Sequence, residues 1–363
     1  MTTRQQFAFL VHFRTDIRYE LGLYWPPLRI FPGPILEQAV SRLPLPPIVW
    51  STAHFSDQPD TPAGWVVLVP SIARQMLDLG QSMRSVLARI DQAVDKSVAL
   101  GAKVLGLGAL TAPITRGGQR LTSRTDIGVT NGNAFTALMT LEGVKKLLPM
   151  CGAREPHIAV IGATGSVGGC LVQLLAKQRT VARLTLVARH QGRLDALATQ
   201  ARALGPDVSI VATSNMEQVR QADLVVLLTS STEALLRSEH LKPGAIVLDD
   251  TQPRNTDPAL QKERPDVLIV DGGLVAMPGM KLNVSISLPE SYAYACLAET
   301  MLLALDGYEG HFSIGIPKIE QVEYVAGLAQ KYRHLGFKLG PLHSFGQPLT
   351  ERRLLRLQQE VAQ

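Results

Sequence analysis

Three spaced glycines, two arginines and one cysteine are the residues whose types and positions could do chemistry here. The glycines are Gly162, Gly165 and Gly168, within IGATGSVGG. They follow an apolar run, HIAVI (157–161), and open an amphipathic one. In a strand-to-helix turn, one glycine allows the tight bend. A second lets the backbone approach a pyrophosphate. A third lets helix and strand pack closely, with the helix N-terminus facing the phosphates. Gly162, Ala163, Thr164, Gly165, Ser166, Val167 and Gly168 are therefore the expected dinucleotide cradle.

The next strand, RLTLVA (183–188), bears on which dinucleotide. Sites for NAD place an Asp or Glu near the end of this strand, for the ribose 2′-hydroxyl. Here the chain continues ARHQGR, with no acid, and offers Arg189 and Arg193. A guanidinium fork suits a 2′-phosphate, so the expected cofactor is NADPH. The competing reading is two ordinary exposed arginines. In open α/β sheets the ligand lies beyond the carboxyl ends of the strands. This puts Thr229 and Ser230, and Asp249, Asp250, Thr251 and Gln252, on the nicotinamide side. Polar loops without ligand contact are an equal reading.

The three cysteines, Cys151, Cys170 and Cys296, are too few and too far apart for a disulfide framework or a zinc site, and no metal is expected. Cys296 lies in AYACLAET, an apolar segment with helical character. By its residue physics alone it is a buried core cysteine. Glu299, one turn on, would raise a thiol pKa rather than lower it.

The elements that must hold these residues can be read from periodicity. From His157, apolar runs alternate with amphipathic ones, at 157–161, 183–188, 208–212, 223–228, 245–249 and 267–271. Six such strands predict a parallel sheet covered on both faces, a doubly wound dinucleotide-binding domain of the Rossmann type. Before it, GWVVLV (64–69) and KVLGLGAL (103–110) predict strands. A helix is expected from Pro70 to about Gly101, and another from Asn133. Residues 24–48 are too proline-rich for a long helix or a central strand, and read as a wrap, a lid or a surface arm. After Gly273, Pro289 is expected to open a long apolar helix carrying Cys296. A second helix is expected over 317–335, and a short capped one from Thr350. The expected organisation is an N-terminal α/β substrate domain (1–153), the Rossmann domain (154–287) and C-terminal helices (288–363) packing back.

Composition narrows the class. A chain of 363 residues suits two domains. The net charge of +5 is spread along it without a basic run, which disfavours nucleic acid. No stretch reaches the ~18 apolar residues of a membrane span, and the N-terminus lacks the profile of a secretory signal. A cytoplasmic protein is expected.

PESYAYACLAETMLLALDGY resembles the C-terminal segment of the cyanobacterial long-chain acyl-[acyl carrier protein] reductases, around their nucleophilic cysteine. IGATGSVGG with LVARHQGRL, VDGG at 270–273, LGLGALT at 105–111, TNGNAFTA at 130–137 and GWVVLVPSIARQML match that family collinearly, from about Gly64 to Leu342. FLVHFRT, with His12, is similar to its N-terminus. The resemblance implies an NADPH-dependent reduction of an acyl thioester to an aldehyde, with acyl carrier protein or acyl-CoA as donor. It implies Cys296 as nucleophile, through an acyl-enzyme thioester, with His12 and Asn133 as further catalytic candidates. Phe135 stands where the family has histidine. Arg116, Arg120, Arg124, Lys145 and Lys146 are candidates for docking an acidic carrier. Two other readings remain open. One is a shikimate-dehydrogenase-like or glutamyl-tRNA-reductase-like enzyme, acting on a small carbonyl or a tRNA-borne ester. The other is a non-catalytic NADP-binding protein.

Overall fold

The computed structural model describes residues 4–13, 17–77, 80, 82–229, 234–251, 254–286 and 288–350. Ser230, Gln252 and the helix expected beyond Thr350 lie outside the described residues. The first elements are β1 (Phe7–Phe13), α1 (Ile17–Tyr24), α2 (Gly33–Arg42), β2 (Ile48–Phe55), β3 (Gly64–Ile72), α3 (Ala73–Leu77), α4 (Ser82–Ala99), β4 (Val104–Leu107), α5 (Thr111–Ile114) and β5 (Gly128–Thr130). Then come α6 (Asn133–Leu147), β6 (His157–Ile161), α7 (Ser166–Lys177), β7 (Arg183–Val187), α8 (Gln191–Leu204), β8 (Ser209–Thr213), β9 (Leu224–Leu227), β10 (Ile246–Asp249), α9 (Pro258–Glu263) and β11 (Leu268–Asp271). The last are β12 (Leu274–Ala276), β13 (Met280–Leu282), β14 (Tyr292–Tyr294), α10 (Ala295–Leu305), α11 (Ile319–Lys331), β15 (Lys338–Leu339), β16 (His343–Ser344) and β17 (Gln347–Pro348).

The chain divides into two compact units. One holds Met1–Gly132, Met277–Gly315 and Gly327–Phe337, and the other Asn133–Ala276, Ile316–Ala326 and Lys338–Gln363. These bounds differ from the three consecutive segments expected. Helix α6 packs on α7 and so belongs with the second unit, whereas α10 packs on β1 and β4 of the first.

In the first unit a six-stranded sheet has the order β13-β2-β3-β1-β4-β5. Its centre is parallel, with β3 and β4 flanking β1, while β2 and β13 add antiparallel strands at one edge. Val86, Ile90, Ala93 and Val94 recur at helical spacing on α4 and seal one face. The helix expected from Pro70 starts later. Strand β3 runs on to Ile72, and its register against β1 shifts between His12 and Phe13. A bulge of this kind accommodates a proline within a sheet. The proline-rich stretch holds the ten-residue helix α2 after Pro32. The Arg89 guanidinium donates to the carbonyls of Ser41 and Leu43 at its end, at 3.3 and 3.0 Å.

The second unit carries β6 to β11 within eight strands of order β17-β16-β11-β10-β9-β6-β7-β8. Counting β6 as the first, its six parallel strands have the order 3-2-1-4-5-6 of the doubly wound dinucleotide fold. Each observed strand lies within a residue or two of its expected run. Phe135, on α6, is fully buried.

The helix expected from Pro289 begins only at Ala295. Ser291 has φ +71°, which no helix tolerates, and its carbonyl accepts from the N–H of Met277 at 2.7 Å. Ten of the eleven residues of α10 are buried, as the apolar composition on all sides requires. The later start moves Cys296 from the middle of a helix to its second residue.

Candidate functional site

In the second unit the turn from β6 to α7 is built around glycine. Gly162 has φ +84°, and a Cβ there would lie 2.6 Å from the carbonyl oxygen of Leu228. A Cβ on Gly168 would lie 2.4 Å from the carbonyl oxygen of Gly162. The N–H groups of Gly162 and Ala163 donate to the Val187 carbonyl at 2.9 and 3.2 Å, which fixes the turn against the end of β7. Gly165 precedes α7 without a side-chain cap, so the N–H groups of the first turn have no intrahelical acceptor. A bare backbone at a helix N-terminus is what a pyrophosphate needs, and the turn fits one. Thr229, half-buried, follows Leu228 at the back of this turn.

Asn133, expected to act in catalysis, is the first residue of α6. Its Nδ2 donates to Oγ of Ser166 at 2.8 Å, so it orients a residue of the cradle. Arg189, just past β7, and Arg193, in the first turn of α8, are both exposed. Neither has an ion-pair partner among the described residues. Cations at a helix N-terminus face the positive end of the helix dipole, an unfavourable place unless an anion joins them.

The second unit also holds a carboxylic acid that periodicity does not single out. Asp250 follows β10 and accepts a short hydrogen bond from the Thr140 hydroxyl. Gly272 and Gly273 crowd against it, and a Cβ on Gly273 would lie 2.4 Å from its Oδ1. This close approach explains the glycine pair of VDGG. Desolvation raises the Asp250 carboxyl to about 6, the Thr140 hydroxyl opposes the rise, and the charge of Asp249 adds to it. Asp249 is differently placed. It accepts from the backbone N–H groups of Thr251, Asn255 and Thr256 at 3.1, 3.0 and 2.8 Å, and so ties down the loop after β10.

The structure sorts the three cysteines. Cys170 is fully buried within α7, in the second unit. Cys151, also there, has its thiol pushed up to about 11, chiefly by burial and then by the charge of Asp223. Cys296 is half-buried in the first turn of α10, where helix N–H groups favour negative charge. Gly132, at φ +76°, lies against it so closely that a Cβ there would be 2.3 Å from the cysteine Cβ. The residues before Gly132 are fixed by hydrogen bonds that composition does not reveal. Asn131 Nδ2 donates to the carbonyls of Gly117 and Gly315 at 3.1 and 2.9 Å, and its Oδ1 accepts from the Ser313 hydroxyl at 2.7 Å. The Thr130 hydroxyl donates to buried Glu299 in a short hydrogen bond. The only sequence signal for this cluster is the asparagine–glycine pair of TNGN, a common turn dipeptide.

His12 is buried at the end of β1. Its Nε2 accepts from the Leu110 N–H at 3.3 Å, which leaves Nδ1 to donate to the Phe13 carbonyl at 2.7 Å. The ring lines a cavity of about 30 Å³ with Glu20, Trp50 and Ile286. Of the docking candidates, Arg124 already pairs with Asp95 and Asp126, at 2.7 Å each, and Lys145 with Glu142 at 3.1 Å. Among the described residues no His, Cys, Asp and Glu cluster could hold a metal ion.

A family model described as semialdehyde dehydrogenase, NAD binding domain, matches residues 157–296. The chain carries an NAD(P)-binding Rossmann domain, of the kind found in oxidoreductases. It is 28% identical to aminotransferase PigE of a Serratia species, over 81% of this chain and 34% of that one. It is 27% identical to the long-chain acyl-[acyl-carrier-protein] reductase of Synechococcus elongatus, over 58% of this chain and 61% of that one. The chain thus spans about a third of the first relative and three fifths of the second. The quinate dehydrogenase of Corynebacterium glutamicum, solved with NAD, aligns at 15% identity over 69% of this chain and 82% of its own, with a TM-score of 0.34. A likeness that loose carries no argument about function.

Asp250 has a folded value of about 6 against an ordinary 3.8. Ionising it therefore costs the folded state, and that cost is absent below the ordinary value and complete above the folded one. Asp250→Asn keeps an acceptor for Thr140 and removes the charge. It should stabilise the protein by about 3 kcal/mol near neutral pH and give no gain in acid, read from urea unfolding at the two pH values. An equal effect at both would show that the carboxyl is not desolvated.

Proposed function

We propose that this protein is an NADPH-dependent oxidoreductase that reduces an acyl thioester to an aldehyde through an acyl-enzyme on Cys296. The observation that carries the reading is the position of Cys296, half-buried in the first turn of α10, in a chain that also holds a dinucleotide cradle. The similarity to an acyl-[acyl-carrier-protein] reductase supports the choice of substrate. The chain aligns with only a third of the Serratia aminotransferase, and no transamination is assigned on that match.

The steps follow from thiolate chemistry. The Cys296 sulfur attacks the acyl carbonyl of the donor, the donor's C–S bond breaks, and acyl carrier protein or coenzyme A leaves as a thiol. A reduced nicotinamide, when bound, supplies a hydride for the acyl carbon. The thiohemiacetal on Cys296 then takes its proton, and its C–S bond breaks to release the aldehyde and restore the thiol. The turn from Gly162 to Gly168 would hold the pyrophosphate, with Asn133 fixing Ser166 within it. Arg189 and Arg193 would hold a 2′-phosphate, which supports NADPH over NADH. His12, with both ring nitrogens on backbone groups, is assigned to positioning the β1 end beside its cavity.

The covalent step is tested by mixing the protein with acyl-carrier protein or acyl-CoA thioesters without NADPH and recording the intact mass. A single acyl adduct, mapped to Cys296 and lost in Cys296→Ala, is the expected result. No adduct at any chain length refutes the covalent route. Removing both arginines, as Arg189→Ala with Arg193→Ala, should weaken NADPH binding at least tenfold and leave NADH binding within twofold, about the loss of one charged phosphate contact. Equal losses for both cofactors would contradict their role.

A further inference from the structure

The segment from Arg18 to Pro46 has an inner and an outer face. Ile17, Leu36 and Val40 are buried beneath it. The outer face exposes Tyr19 (56%), Trp25 (60%), Ile30 (80%), Phe31 (44%), Ile35 (53%) and Leu43 (50%). Exposed apolar residues scattered singly are ordinary, but seven large ones within 25 residues, Leu23 among them, are not. The charges of the segment are sorted as well. Arg18, Arg29 and Arg42 are exposed, whereas its two acids, Glu20 and Glu37, are buried and half-buried. The Arg29 guanidinium sits 6.0 Å from the centre of the Tyr19 ring, so cation and aromatic share one surface.

From these observations we infer that this face docks on an anionic lipid bilayer, with the aromatic and aliphatic side chains entering the headgroup region and the three arginines meeting lipid phosphates. A face carrying exposed cations and no exposed acid complements a negative surface. Aromatic residues beside arginine are characteristic of a membrane–water boundary. The backbone favours a fluid partner over a folded one. Pro26, Pro27, Pro32, Pro34, Pro44 and Pro46 are exposed and confine the segment to short helices and the turns around them, so its exposed side chains sit on several separate short elements. A protein partner needs a complementary rigid surface, whereas lipid headgroups rearrange around each protrusion. Among the described residues no helix is long and apolar enough to cross a membrane.

The test is sedimentation of the full chain with phosphatidylcholine vesicles, with and without phosphatidylglycerol. Binding should require phosphatidylglycerol, weaken with added salt, and fall about fivefold for each of Arg18→Gln, Arg29→Gln and Arg42→Gln. Trp25→Ser with Ile30→Ser should abolish it. Lipids brominated in the acyl chain should quench the intrinsic fluorescence, and Trp25→Phe should remove that quenching. Far-UV circular dichroism would confirm that these surface variants fold. Any of three results overturns the proposal. One is no binding to anionic vesicles. Another is binding that survives Trp25→Ser with Ile30→Ser. The third is a dimer, or a complex with acyl carrier protein, that these substitutions dissolve while the wild type ignores vesicles.

Discussion

The contact on which the dinucleotide-binding unit depends is that of Gly168 with the carbonyl of Gly162. The first turn of α7 can reach the end of β6 only because no side chain stands between them. That approach lets two N–H groups of the turn bond Val187, which docks the turn on β7. It leaves the first-turn N–H groups of α7 without intrahelical acceptors, which is the chemical content of the cradle. A methyl group at Gly168 would have to displace backbone, not a flexible side-chain end, so the constraint is rigid.

The first unit repeats the device for another end. Gly132 presses on Cys296 at the start of α10, and Asn131 holds the approach with three side-chain hydrogen bonds. Further along that helix, Gly106 of β4 gives room to Thr300, whose hydroxyl bonds the Cys296 carbonyl at 3.0 Å. Buried Glu299 is held by Thr130 rather than left facing apolar surroundings. The thiol therefore stands on a helix whose start is fixed from several sides. Such fixing suits a nucleophile, which must be held in place while its acyl group turns over.

Much of this was legible in the sequence, for identifiable reasons. Parallel strands buried on both faces read as continuous apolar runs, and the six runs from His157 mark β6 to β11 closely. The glycine turn was legible because its context, strand before and helix after, is local. The start of α10 was not. Pro289 followed by an apolar run has the signature of a helix opening, and nothing in the residue type of Ser291 announces its positive φ. Strand β5 is three residues long, too short for its apolar pattern to register in the sequence. Asp250 was visible only as one polar residue of a strand-end loop. Its raised value comes from burial, to which the close approach of Gly272 and Gly273, distant in sequence, contributes. The proline-rich stretch was correctly denied a long helix, but the ten residues of α2 fit between its prolines.

The proposed reaction joins the cradle and the cysteine by one stoichiometry. A reductase that passes a single hydride to an acyl group on Cys296 and then releases it consumes one NADPH for each aldehyde formed. The direct measurement follows NADPH absorbance during turnover of a long-chain acyl-carrier-protein thioester, with the aldehyde trapped as a hydrazone and counted. Equal amounts of NADPH oxidised, aldehyde trapped and carrier thiol released are predicted. NADPH oxidation without aldehyde, or aldehyde formed at the same rate by Cys296→Ala, would contradict the account.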